Sequence, residues 1–400
     1  MKINIKRKKY LDQIRPFYGK QLIKVITGQR RVGKSFFLLQ LMEELKEVLP
    51  KNNTIYIDKE KHEFDHIKNH TDLITYVNQH SSKKMNCLFI DEVQEIKNFE
   101  KALRSLLSDG NFDIYCSGSN SNMFSSEIAT YLSGRQILVS VHSLSYPEFL
   151  MFHKLKKGKE SLMQYLKTGG LPYLIHLTND EEIWFDYLKN IRDTIIYRDI
   201  IARYNVRDTA FLENLVYYIA DNIGNIVSAN RISDYMKSQK NFKATSIIIN
   251  YLKYFSEACF VNETKRAEIQ GKKIFESGCK YYFEDLGIRN SITGFKPEDI
   301  GKIIENAVYN HLRYLNYKVN VGKHQDKEID FICEKDGNIK YIQVTYLLQN
   351  KNVTEREFGN LLKIQDNYPK YVISMDDFKF TASNKGVIHL RLEDFLLSDF

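Results

Sequence analysis

Gly28-Gln29-Arg30-Arg31-Val32-Gly33-Lys34-Ser35 is the stretch on which the fold turns. It satisfies the pattern GxxxxGK[ST] at every position. The apolar run Leu22–Thr27 before it reads as a strand, and Ser35–Leu45 after it reads as a helix. A strand, a glycine-rich turn and a helix in that order build a phosphate-binding loop. Gly28 and Gly33 allow the backbone to curl, so that N–H groups point inward at phosphate oxygens. The helix adds its positive end. Lys34 is placed to reach the β- and γ-phosphates of a nucleotide, and the Ser35 hydroxyl to ligate magnesium. Gln29, Arg30, Arg31, Val32 and Phe36 complete the candidate binding segment. Arg30 and Arg31 either pair with acids or contact phosphate or a neighbouring subunit. A chance match in 400 residues is on the order of one per cent, before the strand–helix context is required.

Outward from the loop, short apolar runs continue to alternate with amphipathic stretches. Thr54–Ile57, Cys87–Ile90, Asp113–Cys116 and Ile137–Val141 read as further strands. This alternation predicts a parallel sheet covered by helices on both faces. Cys87–Ile90 leads directly into Asp91 and Glu92. A buried strand ending there delivers both acids to the carboxyl edge of the sheet, beside the loop. Asp91 suits magnesium, through water, and Glu92 suits the orientation and deprotonation of an attacking water. Ser119 and Asn120, after the next strand, either sense the terminal phosphate or form an ordinary turn. Arg135 either acts as an arginine finger on a neighbouring subunit's nucleotide or sits in a surface salt bridge.

Composition sets the class. The net charge is +8, with 43% hydrophobic and 27% charged residues, as in an ordinary globular chain. No apolar stretch approaches the ~20 residues of a membrane span, and the basic N-terminus lacks the core of a signal peptide. The expectation is a cytoplasmic protein without a membrane partner. Five cysteines, none in a CxxC pair, point to neither a disulfide framework nor a zinc site. The basic clusters Lys6–Lys9, Lys154–Lys159 and Lys265–Lys273 read as solvated faces or linkers.

Beyond Pro147 the pattern becomes largely helical to about Ser256, with a break at Gly169–Pro172. Asn230–Ser238 and Ala244–Phe255 read as two helices joined by a short turn. Cys259–Phe283 reads as a β-hairpin with a basic loop, the wing of a winged helix. Ile247, Ile248, Tyr251, Leu252 and Phe255 form one apolar face of the second helix. A module of this kind docks on DNA or serves as a protein-contact lid. A third region begins near Pro297 and reads helix, strands, helix, strands. The expected domains are residues 1–150, 151–295 and 296–400.

The chain resembles a large family of bacterial and archaeal AAA-like ATPases with a C-terminal domain of unknown function. The resemblance runs through Ile26–Ser35, Phe89–Gln94, Ser117–Asn120, Leu132–Arg135, Leu144–Phe149, Gly169–Pro172, Lys280–Gly287 and Asp366–Lys370. It implies an α/β P-loop ATPase domain, a helical and winged-helix-like middle, and a C-terminal domain similar to PD-(D/E)xK nucleases. It favours ATP over GTP, which the loop alone does not distinguish. In such nucleases an acid on a helix, an acid on a strand and an acid–x–lysine strand hold magnesium and stabilise charge. Glu305 fits the first element. Asp330 fits the second, with Glu328 on the same face. Gln343 stands where the third carboxylate is usual, and Thr345 where the lysine belongs; Lys363 is a candidate replacement. The domain therefore reads as a degenerate nuclease, a binding module.

The functional expectation is a magnesium-dependent ATPase in which ATP closes the middle domain over the nucleotide and hydrolysis releases it. DNA, another protein and further copies of the chain are its candidate partners. The competing classes are an ATP-regulated metal-dependent nuclease and a slow signalling or scaffold NTPase.

Overall fold

A computed structural model describes residues 5–120, 134–178, 180–238, 243–269, 274–325, 327–348, 351–376 and 386–400. The chain divides into two compact units, residues 1–142 with 257–259, and residues 143–256 with 260–400.

The first unit is built on five strands: β1 (Ile23–Thr27), β2 (Asn53–Asp58), β3 (Asn86–Asp91), β4 (Phe112–Gly118) and β5 (Gln136–Ser140). Every pairing is parallel, and the order is β2-β3-β4-β1-β5. β1, β3 and β4 are buried along their whole length. That burial explains their unbroken apolar character, because a parallel sheet is covered on both faces. The helix Phe99–Ser108 turns Phe99, Ala102, Leu103, Leu106 and Leu107 onto this core. Each such side chain contributes about 1.5–3 kcal/mol when fully buried. The helix His70–His80 begins in a capping box, with Asn69 accepting from the backbone of Thr71 and Asp72. That arrangement satisfies N–H groups that a helix start leaves bare. At the amino end of the sheet, Lys24 on β1 and Asp113 on β4 form a fully buried ion pair, 2.5 Å apart. Tyr115 and the Gly19 N–H also donate to that carboxylate.

The second unit carries a mixed seven-stranded sheet of β6 (Val261–Glu268), β7 (Ile274–Phe283), β8 (Lys318–His324), β9 (Lys327–Lys335), β10 (Asn338–Val344), β11 (Lys370–Ser374) and β12 (Val387–Arg391). Its order is β12-β11-β10-β9-β8-β6-β7. The hairpin read from Cys259 to Phe283 is therefore not a freestanding wing. Arg266, Ala267 and Glu268 of β6 pair in parallel with Val321, Gly322 and Lys323 of β8, so the hairpin extends the C-terminal sheet. Fully buried Arg289 reaches from the helix Leu286–Thr293 to Asp299, at 2.8 Å, and to the Ala220 carbonyl, at 2.9 Å.

The two helices of the middle region span Ala229–Ser238 and Thr245–Glu257, and residues 239–242 of their connection lie outside the described residues. Ile248, Leu252 and Phe255 pack inward, but Ile247 is 37% exposed. The apolar stripe is thus narrower than its sequence suggests. Before these helices, Glu181–Thr194 continues into a π-helical stretch, Ile195–Ala202, that the periodicity did not announce. Among the described residues no helix is long and apolar enough to cross a membrane, and no two cysteines form a disulfide.

Candidate nucleotide-binding site

β1 ends at Thr27, and the loop Gly28–Gly33 carries the chain into the helix Lys34–Val48. Gly28 has φ +148°, and a Cβ on it would lie 2.1 Å from the Val141 carbonyl oxygen. Only glycine fits there, for both reasons. Gly33, the residue before the helix, has φ +99°. Arg7 braces the loop from outside, donating to the carbonyls of Val32 at 3.1 Å and His142 at 2.9 Å.

Lys34 is buried. Its ammonium donates to the Gln29 carbonyl at 3.0 Å and lies 4.0 Å from Glu92 Oε1. The Gln29 side chain is wholly buried, yet neither its amide nitrogen nor its oxygen has a partner. A buried amide left unpaired is costly. Arg30 lies 3.6 Å from Glu60. Arg31 is exposed in left-handed backbone at φ +69°. Val32 is core. Phe36 is 70% exposed on the first turn of the helix.

Because β4 is inserted between β1 and β3, the serine next to its end, Ser117, stands between the loop and the acidic pair. Ser117 Oγ donates to Asp91 Oδ1 and accepts from the Glu92 N–H at 3.1 Å. Asp91 is 2% exposed. Burial pushes its carboxyl above the ordinary range, while hydrogen bonds from Ser117 and Ser35 act in the opposite direction. A buried carboxylate joined to the Ser35 hydroxyl is a donor set that suits magnesium, a hard cation that takes oxygen ligands.

Glu92 sits in left-handed backbone at φ +53°, a strained conformation of the kind found where a side chain must be aimed. Gln94 Nε2 donates to Glu92 Oε2 and reaches Ser119 Oγ at 3.4 Å. Gln94 Oε1 is buried without a partner. The sequence assigns Gln94 no role, and Ser117 enters it only within the polar stretch Ser117–Asn120. Their signals were adjacency to Asp91-Glu92 or to the end of a strand, and membership of the family stretches Phe89–Gln94 and Ser117–Asn120. Asn120 is buried beside Ser119. Arg135 is exposed at the start of β5, where its carbonyl accepts from Ile23.

The nuclease-like residues also converge, in the second unit. Glu305 on the helix Ile300–Tyr314 and Glu328 and Asp330 on β9 surround one buried ammonium, that of Lys280 on β7. Lys363 is exposed and takes no part.

This fold and loop define a P-loop protein of the AAA type: residues 20–150 match the family model described as an AAA domain. Residues 159–299 match a domain of unknown function. The chain is 33% identical over 405 residues to an uncharacterized protein of Haemophilus influenzae, covering 99% of each. It is also 33% identical over 355 residues to an uncharacterized protein of Methanocaldococcus jannaschii, covering 84% of this chain and 77% of that one. The chain belongs to the family of these two proteins. Among solved structures, the Aeropyrum pernix Orc1 protein in complex with DNA aligns with 72% of this chain and 92% of its own. It does so at 10% identity and a TM-score of 0.32, too distant to carry an argument.

Proposed function

We propose that the first unit binds magnesium-ATP and hydrolyses it, and that turnover switches the chain between two conformations. The observation that carries this reading is the meeting of Lys34, Ser35, Asp91 and Glu92 at one edge of a parallel sheet. A nucleotide's terminal phosphate offers Lys34 a better acceptor than the neutral Gln29 carbonyl it now uses. The loop N–H groups take the remaining phosphate oxygens. Ser35 and Asp91 would hold magnesium, which would supply charge neutralisation at the phosphates. Glu92 accepts a proton from water as the water oxygen bonds to the γ-phosphorus. The bond from that phosphorus to the bridging oxygen breaks, and ADP carries away the electron pair. Gln94 holds the Glu92 carboxylate at the angle this transfer needs.

The test is nucleotide binding and steady-state hydrolysis on two variants. Lys34→Ala is expected to lose binding of magnesium-ATP. Glu92→Gln is expected to bind as tightly as the parent and to lose at least about 100-fold in turnover, the lower end for a general base. Hydrolysis unchanged in both variants refutes the assignment.

A further inference from the structure

The nuclease fold that the sequence resembles implies a divalent metal at Glu305, Asp330 and Gln343. The residues present do not fit one. A divalent ion needs several carboxylate oxygens turned toward it, and here one oxygen of each acid is turned to the Lys280 ammonium instead. Glu305 Oε1 accepts from Lys280 Nζ at 2.8 Å and from the Tyr282 hydroxyl at 2.6 Å. Asp330 Oδ1 lies 3.4 Å from the same ammonium, and its Oδ2 accepts from the Val344 N–H at 2.8 Å. Glu328 Oε1 lies 2.7 Å from Lys280 Nζ. Gln343, the remaining prospective ligand, turns its carbonyl oxygen back to the Asp330 N–H at 3.4 Å. Among the described residues no group of three or more acids, histidines or cysteines is placed to hold a metal ion.

An ammonium has three donors and no acceptor, and Lys280 has three carboxylates within reach. It is 1% exposed, and a buried charge persists only when it is paired and hydrogen-bonded. The pairing therefore accounts for Lys280 completely. A second cation among the same oxygens would meet its charge at close range.

We propose that the Lys280 ammonium is the resident cation of this site, standing where a divalent ion would sit among Glu305, Glu328 and Asp330. The C-terminal sheet is then a metal-independent module without metal-dependent nuclease chemistry. This inference is independent of the ATPase reading, because every residue it uses lies in the second unit.

The test uses the full chain, free of nucleotide, in a Ser35→Ala background that removes the phosphate-loop ligand. Mn2+ binding is followed by calorimetry and by thermal shift. The chain with Lys280 intact is expected to take up no Mn2+ at the cluster. Lys280→Met is expected to gain one site, with a Kd of about 1 mM or tighter, and to melt higher with Mn2+ than without. Adding Asp330→Asn to that variant should abolish the gain. The proposal is overturned if the Lys280-intact chain binds Mn2+ and loses it on Asp330→Asn. It is equally overturned if Lys280→Met takes up none. Should Lys280→Met fold only when Mn2+ is supplied, the proposal stands; failure to fold with or without Mn2+ counts against it.

Discussion

Replacing Gln94 by leucine keeps the size of the side chain and removes its amide. Two hydrogen bonds are lost, one to the Glu92 carboxylate and one to Ser119 at 3.4 Å. The second is long and contributes little. The first joins a neutral donor to a charged acceptor, a class that contributes about 1.5–3 kcal/mol. If that free energy holds Glu92 at its working angle, its loss converts to roughly a 10- to 150-fold fall in kcat. Nucleotide affinity should stay within about threefold of the parent, since Gln94 contacts neither Lys34 nor the loop backbone. Gln94→Asn, which keeps the amide on a shorter arm, should recover part of the rate. The assay is steady-state phosphate release alongside fluorescent-nucleotide binding. An unchanged kcat refutes the positioning role. So does a loss confined to affinity, because that pattern marks ground-state binding rather than aim.

Two further outcomes follow from named contacts. Gly28→Ala places a Cβ 2.1 Å from the Val141 carbonyl in left-handed backbone. It should cost at least about 2 kcal/mol of stability and weaken nucleotide binding; a melting temperature within about 2 °C of the parent would rule this out. His153, packed against Phe149 and Trp184, has its pKa lowered by burial to about 4. The unfolded chain takes up a proton near the ordinary value of 6.5, before the folded chain does. Stability is therefore lost as pH falls from about 6.5 toward about 4. His153→Phe should flatten that part of the melting-temperature profile, and an unchanged slope would exclude His153 as its source.

The first unit was legible almost entirely from the chain itself. A phosphate loop is local: Gly28, Gly33, Lys34 and Ser35 lie close together along the chain, and the two glycines follow from its dihedrals. The five strands were legible because parallel strands are apolar on both faces. The order of those strands was not, since it depends on which helix crosses which face. That order brings Ser117, on β4, to Asp91, on β3, although the two are 26 residues apart. Gln94 was visible in the sequence as a family residue, but its bond to Glu92 depends on the left-handed backbone at Glu92.

The second unit divides in the same way, and more sharply. The family resemblance pointed to Glu305, Glu328 and Asp330 and to Thr345 standing where a lysine is usual. A linear reading could look for a replacement only nearby, as at Lys363. The ammonium that meets the acids comes instead from Lys280, 50 residues before Asp330, because the hairpin of β6 and β7 joins the edge of the C-terminal sheet. Residue types and local geometry were settled by sequence, where neighbours along the chain determine the outcome. The pairing of distant charges was settled only by the packing of strands, because no short-range signal encodes which buried cation a carboxylate will meet.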